Sequence, residues 1–390
     1  MDILFSDRIS ALQPSAIREI LKSASDPNII SLAAGNPAPE SFPIEDIRRL
    51  SAEIFEQKPV KALQYGITEG YTPLRYALKE HMKTRFNCNG ENDDLIIVSG
   101  AQQGIELTCK VLCNEGDTVI CENPSFIGAL NAFRSYNVNL CGVEMEQDGL
   151  NLESLETALK TQKKVKLIYL IPTFQNPTGI TMSLAKRKAV YELAKKYSVM
   201  ILEDNPYADL RFDGEDIACI KSFDTEGLVI YCGSFSKILS AGMRVGYVFA
   251  PVNVIQKLVV AKQVSDVHTN MFFQILTHRF ITECNLAQHI KKIQQIYKHK
   301  SSLMMSGIEQ HMSSEITFIR PQGGLFLWCS LPKSIDMIDY CKRAAASGVA
   351  VVPGSAFTAN STDYCNSIRL NYSTPTDDKI VRGMEILGSL

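Results

Sequence analysis

A chain of 390 residues is too long for one ordinary core and points to two domains, one of them large. Its 40 Lys+Arg and 42 Asp+Glu leave a net charge of −2, which gives no electrostatic reason to expect nucleic acid or a membrane surface as a partner. Hydrophobic content of 45% with 21% charged residues is that of a soluble globular protein, and no apolar run reaches the roughly 18 residues that span a bilayer.

The first ten residues, MDILFSDRIS, lack the basic stretch and apolar run of a signal peptide. Residues 1–45 do not fit a large sheet and are expected to pack with the C-terminal part. The middle of the chain alternates apolar, β-rich runs with helical patterns. The runs are DLIIVSG (94–100), DTVICENP (117–124), VNLCGVEM (138–145), VKLIYLIP (165–172), SVMILEDN (198–205), LVIYCGSF (228–235) and GYVFAP (246–251). Most are apolar on both faces, as strands buried in a mainly parallel sheet are. Helical stretches such as QQGIELTCKVL and LAKRKAVYELAKKY lie between them. The alternation predicts an α/β fold: a large domain, 46–290, with a mainly parallel seven-stranded sheet flanked by helices. A long helical region follows over roughly 253–312. Then come PQGGLFLWCSLP, a helix near 334–347, VAVVPGSAF, SIRLNYS and a final helix. With residues 1–45, segment 291–390 is expected to form a smaller α+β domain.

The eleven cysteines are scattered, odd in number and without a C-x-x-C pair, which reads as reduced thiols in a cytoplasmic protein. Six dispersed histidines without H-E-x-x-H give no reason to expect a metal site.

The chemistry gathers where strands end. SGAQQG, ENPSF, PTFQNPTG, EDNPYADL and GSFSK each close a predicted strand. In an open α/β sheet, ligands bind outside the carboxyl ends of the strands, so these five segments converge on one crevice. Ser99, Gly100, Ala101 and Gln102 open a helix whose free N–H groups favour an anion. Ser234, Ser236 and Arg244 add hydroxyl donors and a charged fork suited to phosphate. Taken alone, the first group is also a plain strand-to-helix turn and the second a capped turn with a surface arginine. Neither matches a Walker A or a G-x-G-x-x-G loop. Lys237, beside that anion site, loses proton affinity near a cationic partner and becomes an amine nucleophile for a carbonyl, unless it is itself only a phosphate ligand. Asp204 closes an apolar strand, where a buried carboxylate needs a cationic partner such as a pyridinium nitrogen; it can also cap a turn. Tyr207 and Asn176 can both hydrogen-bond a phenolate oxygen. Phe126 offers a flat face to a ring, or is a core aromatic. Phosphate, carbonyl, ring nitrogen, ring oxygen and ring face together describe pyridoxal 5′-phosphate.

These motifs resemble the fold type I, pyridoxal-phosphate-dependent aminotransferases of class I/II. The likeness runs from SLAAGNPAPESFP through SFSKILSAGMRVGY and IRLNYS to the last helix. It is similar in particular to the 2-aminoadipate and kynurenine aminotransferases, and to the aminotransferase half of MocR-type regulators. The resemblance implies that Lys237 is the Schiff-base lysine and proton shuttle. It implies that Asp204 holds the ring nitrogen, Tyr207 and Asn176 the ring oxygen, and Phe126 the ring face. Ala101, Gln102, Ser234, Ser236 and Arg244 would bind phosphate, and Tyr65 would reach the phosphate of a neighbouring subunit in a homodimer with shared active sites. Arg369 would grip the substrate α-carboxylate, helped by Asn176 and the backbone near Gly35. Phe126 stands where the subgroup commonly has tyrosine, and Asn36 where it often has leucine. Arg18, on an N-terminal amphipathic segment, is a candidate for the distal carboxylate of glutamate or 2-aminoadipate, or an exposed helix arginine. The implied reaction is a ping-pong transfer of an amino group from an L-amino acid (2-aminoadipate, aromatic or branched) to a 2-oxo acid, 2-oxoglutarate foremost. A β-lyase of the same fold is the alternative, and a non-catalytic cofactor-binding sensor a distant one. The chain begins within a few tens of residues of the aminotransferase-like segment, which leaves no room for the winged-helix domain of such a regulator.

Overall fold

The seven apolar runs form the seven long strands of one sheet. They are Asp93–Val98, Thr118–Asn123, Asn139–Glu146, Val165–Leu170, Met200–Asp204, Val229–Ser234 and Gly246–Pro251. The computed structural model describes residues 3–10, 12 and 28–390. Across the sheet, Asp93–Val98 lies at one edge beside Gly246–Pro251, followed by Val229–Ser234, Met200–Asp204, Val165–Leu170, Thr118–Asn123 and Asn139–Glu146. Gly246–Pro251 pairs antiparallel with both of its neighbours, and the remaining pairings between long strands are parallel. An eighth strand, the two-residue Gly149–Leu150, extends the far edge as an antiparallel hairpin; two residues are too few for a periodic signal. All six residues of Gly246–Pro251 are buried, as a strand covered on both faces requires. Five of the seven strands stop one or two residues short of the end of their apolar runs. Ser99 and Gly100 already belong to a turn, with Gly100 at φ +82°, and Pro124 has no amide proton to give a ladder.

The helical region 253–312 is three helices: Val252–Gln263, Met271–Glu283 and Leu286–His311. Asn270 and Asn285 cap the second and third, accepting from the backbone N–H groups of Phe273 and Gln288. Apolar periodicity continues through both breaks, which is why the sequence reads as one long stretch. Before the sheet, Ile44–Gln57 and Thr72–Phe86 are helices that the sequence reading leaves unassigned.

The C-terminal part holds a four-stranded antiparallel sheet in the order Thr317–Phe318, Phe326–Ser330, Ser367–Asn371, Val352–Pro353. Helices Met337–Ala346 and Asp377–Gly388 accompany it. The N-terminal segment joins this part: Ile30–Ser31 pairs parallel with Val349–Ala350, and the Asn371 N–H donates to the Leu32 carbonyl at 2.7 Å. Among the described residues, no helix is long and apolar enough to cross a membrane, and no His/Cys/Asp/Glu group is arranged to hold a metal ion.

Candidate active site

Strands Asp93–Val98, Thr118–Asn123, Val165–Leu170, Met200–Asp204 and Val229–Ser234 run in one direction, so the loops that follow them meet at one rim. They enclose a cavity of about 470 Å³ with the strand Phe326–Ser330 and Arg369 as its opposite wall. Its lining includes Ala101, Gln102, Phe126, Asn176, Asp204, Tyr207, Ser234, Ser236, Lys237, Arg244, Arg369 and Gly35.

At one end is a cup for an anion. Helix Ala101–Leu112 points its free N–H groups into the cavity from behind Gly100. Gly100 has φ +82°, which favours glycine, and a Cβ there would come within 2.3 Å of the Arg244 guanidinium and push it aside. Ser234 and Ser236 hydrogen-bond each other at 3.0 Å, and Arg244 Nη1 donates to Ser236 Oγ at 3.4 Å. Ser99 stands behind the cup. Its hydroxyl donates to Asp266 at 2.9 Å and its carbonyl accepts from Arg244 Nη2 at 3.3 Å.

At the centre Lys237 Nζ donates to the Gly35 carbonyl at 2.7 Å. Burial, and then the charges of Arg369 and Arg244, push this amine down to about 8. Deeper, Asp204 is 2% exposed; its Oδ2 accepts from the Tyr169 hydroxyl at 2.8 Å, while Oδ1 has no partner among the described residues. Burial pushes its carboxyl up to about 7. Asn176 lies between Tyr207, to whose hydroxyl its Nδ2 donates at 3.4 Å, and Arg369, whose Nη1 donates to its Oδ1 at 2.9 Å. Arg369 also donates to the Ala33 carbonyl at 2.7 Å and lies over the Phe326 ring at 4.3 Å. Burial pulls this guanidinium down to about 10.

Of the other predicted residues, one lies away from this chain's cavity and one is not among the described residues. Tyr65 is 82% exposed, edge-on to His268 and away from the cavity lining. Arg18 lies outside the described residues. The sequence reading missed Tyr169 and Phe326. Tyr169 sits in an otherwise aliphatic strand end paired beside the one that ends in Asp204, and a lone phenol there is the only signal. Phe326 belongs to a distant segment and gives none.

The chain matches the family model for aminotransferase class I and II over residues 27–387. It belongs to that family. It is 42% identical to an aromatic-amino-acid aminotransferase of Thermococcus litoralis, over 98% of this chain and 93% of the relative. It is 36% identical to a 2-aminoadipate transaminase of Thermus thermophilus, over 98% and 95%. Among solved structures, a kynurenine aminotransferase of Pyrococcus horikoshii in complex with PMP superposes with a TM-score of 0.95 at 40% identity, covering 99% of this chain and 96% of that one.

This aminotransferase uses pyridoxal 5′-phosphate, and the residues present fit that group. The orphaned, fully buried Asp204 Oδ1 awaits a cationic donor, since an unpartnered carboxylate there is costly. The anion cup lies one loop away, and a half-buried amine stands between them. Phe126 has room for its ring because residue 128 is glycine: a Cβ there would meet the ring at 2.4 Å.

Proposed function

We propose that this aminotransferase moves the amino group of an L-amino acid to a 2-oxo acid in two half-reactions, with 2-oxoglutarate as the acceptor. Aromatic amino acids and 2-aminoadipate are the donors favoured by the names of the similar enzymes. The observation that carries the reading is the meeting, in one cavity, of a lowered amine and a buried carboxylate oxygen that has no partner among the described residues.

When bound, the cofactor supplies a carbonyl for the amino group and a ring that takes up the electron pair left at the substrate Cα. Lys237 would bind the cofactor carbonyl, and its amine is placed to take the proton from the substrate Cα, a general acid–base role that a lowered pKa favours. Asp204 holds the proton on the ring nitrogen, and Tyr169 orients Asp204 through its Oδ2. Asn176 and Tyr207 would donate to the ring oxygen, and Phe126 would cover the ring. Ala101, Gln102, Ser234, Ser236 and Arg244 hold the phosphate, with Ser99 and Gly100 shaping the cup from behind. Arg369 grips the α-carboxylate bidentately, its aim set by Asn176 and the Ala33 carbonyl, while Gly35 borders the same position.

The test is visible absorbance of the holoenzyme with single amino acids. Loss of the cofactor band with an aromatic amino acid or 2-aminoadipate, and its return with 2-oxoglutarate, is the expected result. Release of ammonia from a cysteine-type substrate without any 2-oxo acid, and no donor that discharges the band, would replace transamination with a lyase reaction.

The proposed enzyme is a cytoplasmic homodimer that shares its active sites. Eleven unpaired cysteines suit a reducing compartment. Tyr65, Val60, Leu63 and Ile67 are exposed, and Gly66 bonds His268 of the segment that carries the exposed Val264 and Val267. A second copy covering this apolar face would bring Tyr65 to its neighbour's phosphate. Sedimentation at micromolar concentration is expected to give a dimer; a monomer that turns over at full rate overturns it. The division into a large unit, 46–290, and a small unit, 1–45 with 291–390, belongs to the same proposal. The hydrogen bonds of Ile30–Leu32 to the C-terminal strands support it.

A further inference from the structure

Behind the ring-binding residues lies a buried polar cluster to which no role has been assigned. Gln175 has no exposed surface and uses its full hydrogen-bonding capacity. Its Oε1 accepts from the Thr178 N–H at 2.9 Å and hydroxyl at 2.7 Å. Its Nε2 donates to the Pro124 carbonyl at 2.8 Å and to Glu122 Oε2 at 3.2 Å. The same Glu122 oxygen accepts from the Ile171 N–H at 3.0 Å. One side chain thus ties together two loops from neighbouring strands: 123–126, which ends in Phe126, and 171–179, which carries Asn176.

Glu122 itself is 1% exposed, and its Oε1 has no partner among the described residues. Burial pushes this carboxyl up to about 8, with the charge of Asp204 adding to the rise, so the neutral acid is the form that suits the site. Its hydrogen bonds through Oε2 need no charge.

We propose that Glu122 and Gln175 are positioning residues for the transamination: a buried carboxyl and a fully bonded amide form a strut that sets Asn176 toward the cofactor's ring oxygen and Phe126 toward its ring face. The strut rests on the assignment of Asn176 to the ring oxygen. Asn176 also accepts from Arg369, so loosening the strut loosens the grip on the α-carboxylate as well.

The experiment is a pH titration of the bound cofactor's visible band in holoenzyme variants, with kcat and KM measured alongside. Losing the Asn176 donor leaves the ring oxygen more basic, so its neighbouring proton is held to higher pH. Gln175→Met, which keeps the side-chain length without the hydrogen bonds, is expected to raise the midpoint by about half a unit to one unit and to raise KM for the amino acid more than it lowers kcat. Glu122→Ala is expected to do the same, and Glu122→Gln to restore the midpoint. In an Asn176→Ala background, Gln175→Met is expected to add no further shift, since the strut acts through Asn176. If Gln175→Met does not fold, Thr178→Val removes one of the four bonds and is expected to shift the midpoint the same way by less. A wild-type midpoint in whichever of these two variants folds, a full extra shift in the Asn176→Ala background, or a Glu122→Gln variant as impaired as Glu122→Ala overturns the strut. An unchanged midpoint in Asn176→Ala alone overturns the ring-oxygen assignment, and the strut with it.

Discussion

Lys237→Ala is expected to lower the rate of amino-group transfer by about 10⁴-fold, the upper range for removing a positioned acid–base group. The described part of the cavity offers no replacement. The other cations lining it are Arg244, bound to Ser236 and the Ala241 carbonyl, and Arg369, bound to Asn176 and Ala33. Neither is a usable base, because a guanidinium keeps its proton. The phosphate cup remains in the variant, so the cofactor is expected to bind still, without the absorbance of the lysine-linked form. Single-turnover absorbance measurements check both statements; a variant that keeps the lysine-linked band or turns over within tenfold of wild type refutes the assignment. The wild-type amine carries its own pH signature. With Lys237 held down to about 8, it is an ammonium below that pH and a free amine above it. Cofactor capture by the cofactor-free enzyme is therefore expected to quicken as pH rises and to level off above about 8, rather than near the ordinary lysine value.

Asp204→Asn is expected to lower kcat/KM by roughly 10²–10³-fold, because an amide cannot carry the charge that keeps a buried ring nitrogen protonated. The same substitution has the opposite effect on the cofactor-free protein. The carboxyl of folded Asp204 is raised from its ordinary value to about 7, so the stability it contributes is fully present below its unfolded pKa and is lost as pH rises through about 7. Asparagine has nothing to ionise. Cofactor-free Asp204→Asn is thus expected to melt higher than wild type at pH 8 and to lose that advantage in acid. Thermal unfolding at the two pH values, with and without cofactor, checks the sign. A variant destabilised at pH 8 without cofactor would show that Asp204 has a cationic partner within the chain itself.

The clearest divide between sequence and structure runs through the site. Strands buried on both faces must be apolar along their length, and the turns that end them need Gly, Pro, Asn and Ser. The seven long strands, and the loops carrying Lys237, Asp204, Asn176 and Arg244, were therefore visible in local composition. Their convergence followed from the shared strand direction of an α/β sheet. Gly149–Leu150 and the breaks at 264–270 and 284–285 were not visible, because a two-residue strand has no period and the apolar spacing runs on through the caps.

What the sequence determined alone is the class of chemistry: a lysine, an aspartate, an asparagine and an arginine in motifs specific enough to name a family. What only the tertiary structure decided is the environment that makes these groups work. Phe326 meets Arg369 from a segment 43 residues away, a separation set by the pairing of Phe326–Ser330 with Ser367–Asn371. Tyr169 reaches Asp204 because two parallel strands lie side by side, and Gln175 reaches Glu122 and Pro124 across another such pair. The lowered amine and the orphaned carboxylate oxygen are consequences of burial, and burial is a property of the assembled chain rather than of any stretch of it.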